Sequence, residues 1–164
     1  NHVSYVDALI IAGCVRRPVR FVMYYKIYNL PVLNFIFRTA RTIPIAGKYE
    51  DETLLNEAFD EIDAALEDGD LVCIFPEGRL SKDGKIAKFR DGVERVIARR
   101  PVQVIPIALS GLWGSLFSRA GTNVFSRLFR GIKTTVCVDI GDSVEPGMAS
   151  AKVLQDKVQS LYSG

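Results

Sequence analysis

Histidine is almost missing from this chain: among 164 residues His2 is the only one. Cysteine is scarce too, and Cys14, Cys73 and Cys137 stand far apart, each among apolar neighbours. No Cys-x-x-Cys or Cys/His spacing occurs, so neither a zinc site nor a disulfide framework is supported. The expectation is buried, reduced thiols in a cytosolic compartment. Uncharged apolar runs are short. The longest, Ile27 to Phe37, is broken by Asn29, Pro31 and Asn34 and falls short of a bilayer span. Repeats, linkers and low-complexity segments are lacking. Net charge is only +2, which gives no argument for a nucleic-acid partner.

What is present suits one globular domain. The composition is 48% hydrophobic and 24% charged, and 164 residues can enclose a sizeable core. The chain opens on Asn1, not methionine. The expectation is therefore a single catalytic domain over residues 1–164, excised from a longer chain whose N-terminal part is missing.

Charge is unevenly spread. Between Asp7 and Glu50 there are no acids, but Arg16, Arg17, Arg20, Lys26, Arg38, Arg41 and Lys48 occur. From Glu50 to Asp70 there is no basic residue, and from Arg95 to Lys133 acids vanish again. If the two basic stretches fold together, the molecule has a basic and an acidic side. Aromatics interleave with the basic residues, so Arg16 to Lys48 and Trp113 to Arg130 are expected to share a face. Such a face suits an anionic membrane surface or an acidic carrier protein.

Periodicity predicts alternating helices and strands. A short buried helix follows the Ser4…Asp7 capping box. Val19–Met23 reads as a strand, Pro31 to Ala40 as a helix and Ile43–Ile45 as a short extended piece. Asp51–Leu66 is a clear amphipathic helix, with Leu54, Leu55, Ala58, Phe59, Ile62 and Ala65 at helical spacing. Leu71–Phe75 is all apolar, as in a buried parallel strand. Gly92–Arg99 reads as a helix, Val102–Leu109 and Ile132–Ile140 as strands, and Ser150 caps a terminal helix through Leu161. Gly111–Gly131 has no clean period and reads as an irregular excursion. The result is an α/β domain with a central, largely parallel sheet flanked by helices. Ligands collect at the carboxyl ends of such strands, which points to the loops after Phe75 and Leu109.

Two segments carry chemistry. In NHVSYVD, His2 precedes a helix and Asp7 lies in its first turn. A carboxylate there can orient an imidazole acting as general base. Taken alone, the pair is a weak signal, and the plainer reading makes Asp7 the capping partner of Ser4 and His2 an end residue. In FPEGRLS, Pro76 fixes the exit from a buried strand and Gly78 permits close backbone approach to a ligand. Glu77 and Arg79 then stand where a phosphate or hydroxyl could be held. A solvated Pro-Glu-Gly turn is the plainer reading of that tripeptide by itself.

Together NHVSYVD from Asn1, FPEGRLS from Phe75 and VIPIALSG from Val104 resemble, in order, the blocks of the lysophospholipid and glycerol-phosphate acyltransferase superfamily. The resemblance implies a glycerol-3-phosphate acyltransferase-like fold and transfer of an acyl group from a thioester to a lysophospholipid hydroxyl. His2 would deprotonate the acceptor and Asp7 would orient His2. Glu77, Gly78 and Arg79 would bind the glycerol-phosphate part. Val104, Ile105 and Pro106 would border the acyl channel. No metal, cofactor or covalent acyl-enzyme is implied; the co-substrate is acyl-CoA or acyl-ACP. Ser4 would cap, and Ser81 would hydrogen-bond within its loop.

One block departs from the family pattern. Where the family has an arginine that grips the acceptor phosphate, TARTIPIAGK has Gly47. Lys48, Arg41 or Arg38 would have to substitute, and lysine is a point charge without the bidentate fork. This favours an acceptor with an esterified phosphate, such as 2-acylglycerophosphoethanolamine, over lysophosphatidic acid. The sequence also looks like the acyltransferase part of bacterial fusions with transporter and acyl-ACP synthetase modules. The expected partners are thus a lysophospholipid, an acyl thioester that acyl carrier protein (ACP) could carry, and a membrane surface. The expected location is the cytoplasmic face of the inner membrane. The alternatives are a 1-acylglycerol-3-phosphate acyltransferase and a catalytically silent lipid-binding module.

Overall fold

The computed structural model describes residues 1–2, 7–29, 34–81, 83–111 and 135–162. The chain divides into two compact units. One comprises residues 1–14, 75–94 and 103–164; the other comprises 15–74 and 95–102.

The second unit holds a three-stranded parallel sheet. Its centre is β1 (Val19–Tyr24), flanked by β2 (Ile43–Ile45) and β3 (Leu71–Cys73). Val22 aligns with Ile43, and Val19 with Leu71. Two short helices, α2 (Tyr25–Tyr28) and α3 (Asn34–Thr39), lie between β1 and β2. Parallel pairing needs a crossover, and α4 (Glu52–Glu67) supplies the one between β2 and β3. Its first turn is capped by Asp51, whose carboxylate accepts the Leu54 N–H at 2.9 Å. Leu55, Ala58, Phe59 and Ile62 recur at helical spacing and pack on Ile43, Val22, Val72 and Ile74. Val96 of α5 (Gly92–Arg99) closes this core.

The outer face of α4 corrects the expectation of a basic and an acidic side. Arg20 pairs with Glu61, and Arg99 with Asp60. Arg100 reaches Asp63 at 2.8 Å and Glu67 at 3.1 Å. Arg41 reaches Asp70 at 3.2 Å, and Lys26 lies 3.6 Å from Glu50. Stretches of opposite sign that are separate in the sequence neutralise one another in the fold. The second half of the expected basic face, 113–130, lies outside the described residues, as does Ser4.

The first unit begins with α1 (Asp7–Cys14), which buries Asp7 and Ile11. It continues with β4 (Ile107–Ser110), β5 (Cys137–Ile140), a 3-10 turn at Pro146–Met148 and α6 (Ala151–Leu161). Ser150 caps α6 as expected, accepting from Val153 N–H at 3.2 Å. The expected strand at Val102–Leu109 is shorter, and it does not extend the parallel sheet. Pro106 has no N–H to give, and the regular ladder starts after it, antiparallel to β5. Val104 makes a separate antiparallel bridge to Val144.

The cysteines also depart from expectation. Cys14 and Cys137 are exposed, because they end α1 and begin β5. Only Cys73 is shielded, and burial pushes its thiol up to about 12. No helix among the described residues is long and apolar enough to cross a membrane.

Candidate active site

The first unit gathers both chemistry-bearing segments around His2. The imidazole Nδ1 lies 2.8 Å from Oδ2 of Asp7, whose side chain is fully buried. An ionised carboxylate at that distance accepts a hydrogen bond from Nδ1–H, and in that tautomer the lone pair lies on Nε2. Among the described residues Nε2 has no partner. The ring stacks on Phe75, centroids 4.2 Å apart and planes 21° from parallel. The imidazole keeps 22% of its surface exposed.

The FPEGRLS loop holds the backbone of His2. The His2 N–H donates to Oε1 of Glu77 at 2.8 Å, and the Ser81 N–H donates to the His2 carbonyl at 2.8 Å. The second Glu77 oxygen accepts the Ala87 N–H at 2.7 Å. Glu77 is 2% exposed. Both carboxylate oxygens of Glu77 thus accept from the backbone, and the side chain braces the loop against His2 from inside. Ser81 behaves as expected, its hydroxyl donating to the Lys85 carbonyl at 2.9 Å. Arg79 is exposed at the end of the turn.

Asn1 is a contributor that sequence reasoning missed. Its side-chain oxygen accepts the Leu109 N–H at 2.6 Å, and its amide donates to the Leu109 carbonyl at 2.9 Å. One side chain thus completes the hydrogen bonding of a β4 residue and ties the start of NHVSYVD to VIPIALSG. The signal was an asparagine beside the only histidine. Phe75 was missed as well, because its apolar character made it read as the last residue of a strand.

Residues 1–110 match the model of a protein family described as Acyltransferase. The chain belongs to the acyltransferase family. Among curated relatives, a chloroplastic 1-acyl-sn-glycerol-3-phosphate acyltransferase of Arabidopsis thaliana is 28% identical over 111 residues. The match covers 68% of this chain and 30% of that protein. A 1-acyl-sn-glycerol-3-phosphate acyltransferase of Chlamydomonas reinhardtii is 30% identical over 117 residues, covering 71% of this chain and 34% of its own. The chain thus spans about a third of the length of these relatives. The crystal structure of the 1-acyl-sn-glycerophosphate acyltransferase PlsC from Thermotoga maritima has the same fold. Its TM-score is 0.69 at 22% identity, over 98% of this chain and 60% of that one.

The remaining expected residues divide. Arg41 belongs to the second unit, where Asp70 already engages its guanidinium and its carbonyl accepts from Arg20 Nε at 2.9 Å. It lines a cavity of about 530 Å³ with Arg20, Arg38, Glu61 and Asp68, whose charges nearly balance. Lys48 is exposed in the turn after β2. Beside it, Gly47 N–H donates to Oε2 of Glu50 at 3.3 Å. The Tyr24 hydroxyl, 2.7 Å from Glu50, holds that carboxyl below its ordinary value, and the Gly47 N–H adds to the effect. Of the acyl-channel residues, Val104 is committed to its bridge and Pro106 is buried against Gly141. Ile105 alone presents a large apolar surface, 54% exposed.

Proposed function

We propose that this domain transfers a fatty acyl group from an acyl thioester to the free hydroxyl of 1-acylglycerol 3-phosphate. The observation that carries this reading is the His2–Asp7 pair, with Nε2 open and the His2 backbone clamped by Glu77 and Ser81. Nε2 takes the proton of the acceptor hydroxyl. The oxygen attacks the thioester carbonyl, the carbon–sulfur bond breaks, and the thiolate leaves with the proton from the imidazolium. Buried Asp7 stabilises the cation formed in between. Arg79 meets the acceptor phosphate. The choice of acceptor is supported by the relatives, whose names specify 1-acyl-sn-glycerol-3-phosphate. The donor is acyl-CoA or acyl-ACP, and a lysolipid acceptor puts the reaction at a membrane surface. The test is thiol release from acyl-CoA by the full-length protein, with and without acceptor. Acceptor-dependent release that disappears in His2→Ala supports the proposal; release that survives in a folded His2→Ala sinks it.

A second reading is favoured by one observation. Where the family places its phosphate-gripping arginine, this chain has Gly47 with an ionised Glu50 carboxylate beside it. A lysophospholipid whose phosphate is already esterified, such as 2-acylglycerophosphoethanolamine, tolerates that better than a monoester. The ratio of kcat/KM for the two acceptors, measured with one donor, decides between them.

A further inference from the structure

Gly78 has a positive φ of 63°, and a Cβ built there would stand 2.9 Å from Nε and 3.1 Å from Cζ of Arg90. The Arg90 guanidinium occupies the space that any side chain at position 78 would take. Gly78 therefore accommodates Arg90, where the sequence suggested a bare backbone facing a ligand. The backbone reinforces the placement, since the Arg90 N–H donates to the Pro76 carbonyl at 2.8 Å. Arg90 thus lies across the turn whose Glu77 holds His2.

The Arg90 side chain is exposed. Arg20, Arg41, Arg99 and Arg100 each have a carboxylate partner. Among the described residues neither Arg90 nor Arg79 has one. A guanidinium presents a planar fork of donors, and one packed on a glycine turn without a counter-charge is suited to an oxyanion. We infer that Arg90 binds the phosphate of the acyl acceptor together with Arg79, supplying the fork that is missing at Gly47. This assignment rests on the acyl-transfer reading of His2 and Asp7. A phosphate monoester carries about 1.5 to 2 negative charges near neutral pH, so two guanidiniums match it. A phosphodiester carries one and needs the second guanidinium less.

The test uses the full-length protein and the variants Arg90→Ala and Arg90→Lys. Calorimetry with glycerol 3-phosphate reads the anion site without turnover. Steady-state kinetics with acyl-CoA compare 1-acylglycerol 3-phosphate with lysophosphatidylethanolamine. Loss of one charge-assisted contact should weaken glycerol 3-phosphate binding and raise KM for the monoester about 10- to 100-fold. The diester acceptor should suffer less, the KM for acyl-CoA should hold, and Arg90→Lys should recover part of the loss. If Arg90→Ala does not fold, Arg90→Gln keeps a stem on Gly78 and reads the same loss. Unchanged binding and unchanged acceptor KM in a folded variant overturn the assignment, as does a defect confined to acyl-CoA. A wild type that binds glycerol 3-phosphate through Arg90 but transfers no acyl group supports the anion site and overturns the proposed function.

Discussion

Nδ1 of His2 and Oδ2 of Asp7 lie 2.8 Å apart, and the aspartate side chain is wholly buried. The imidazole therefore has one nitrogen committed and one open. His2→Ala should lower kcat by about 100- to 10,000-fold, the usual worth of a positioned general base. Asp7→Asn should cost less, since it loosens orientation and removes charge support while Nε2 remains. Both variants should melt cooperatively, as checked by circular dichroism beside the rate assay.

Glu77→Gln should act on kcat and on stability, with the acceptor KM little changed. The carboxylate accepts two backbone N–H groups, from His2 and Ala87, and a glutamine turns its own N–H towards one of them. A buried donor left unpaired costs about 1–3 kcal/mol. Thermal melts and substrate-varied kinetics separate this outcome from direct substrate binding, in which KM alone would rise.

The three cysteines should separate by reactivity. Cys14 and Cys137 are exposed, whereas burial holds the Cys73 thiol near 12. Thiolate is the reactive form. Native protein treated with iodoacetamide at neutral pH should be alkylated at Cys14 and Cys137, with Cys73 labelled only after denaturation. Mass spectrometry of the digested chain reads this directly, and early labelling of Cys73 would contradict the packing of β3.

Asp63 gives a pH dependence with a definite sign. The hydrogen bond from Arg100, aided by its charge, holds the Asp63 carboxyl below its ordinary value. The unfolded chain then binds the proton more readily, so the pair stabilises the fold above the ordinary carboxylate range. That contribution disappears as pH falls through the lowered folded value. Asp63→Asn should lower the melting temperature slightly at neutral pH and match the wild type in strong acid. The pair is partly exposed, so the effect should also shrink in high salt.

Gly47→Arg should fold and should move acceptor preference towards 1-acylglycerol 3-phosphate. The nearest atom to a Cβ there is Oε2 of Glu50 at 3.2 Å, the end of a flexible side chain. Glu50 would hold part of the new charge, so Glu50→Gln in the same chain should enlarge the shift. Paired kcat/KM ratios for the two acceptors provide the measurement, and an unchanged ratio would separate position 47 from phosphate recognition.

The elements legible in the sequence were those set by local pattern. The spacing of Leu55, Ala58, Phe59 and Ile62 marked α4, and Asp51 and Ser150 marked helix starts, because caps and amphipathic faces are written within a few turns. The His2–Asp7 pair was equally accessible, since five residues across a helix start bring imidazole and carboxylate together. The Glu77 loop was legible as a turn after a buried strand; the hydrogen bonds of Glu77 to His2 and Ala87 were not, because they join segments apart in the chain.

Sequence alone determined the α/β alternation, the strands of the parallel sheet and the ordered blocks that mark the acyltransferase family. These rest on hydrophobic period and on chemistry within short segments. The tertiary structure decided the relations between distant segments. It turned the Val104–Gly111 block into an antiparallel pair, set Asp60, Asp63 and Glu61 against arginines far away in sequence, and joined Asn1 to Leu109. It also laid Arg90 over Gly78. A buried carboxylate or a parked guanidinium is fixed by the donors and open space around it, and those are assembled only when the chain has folded.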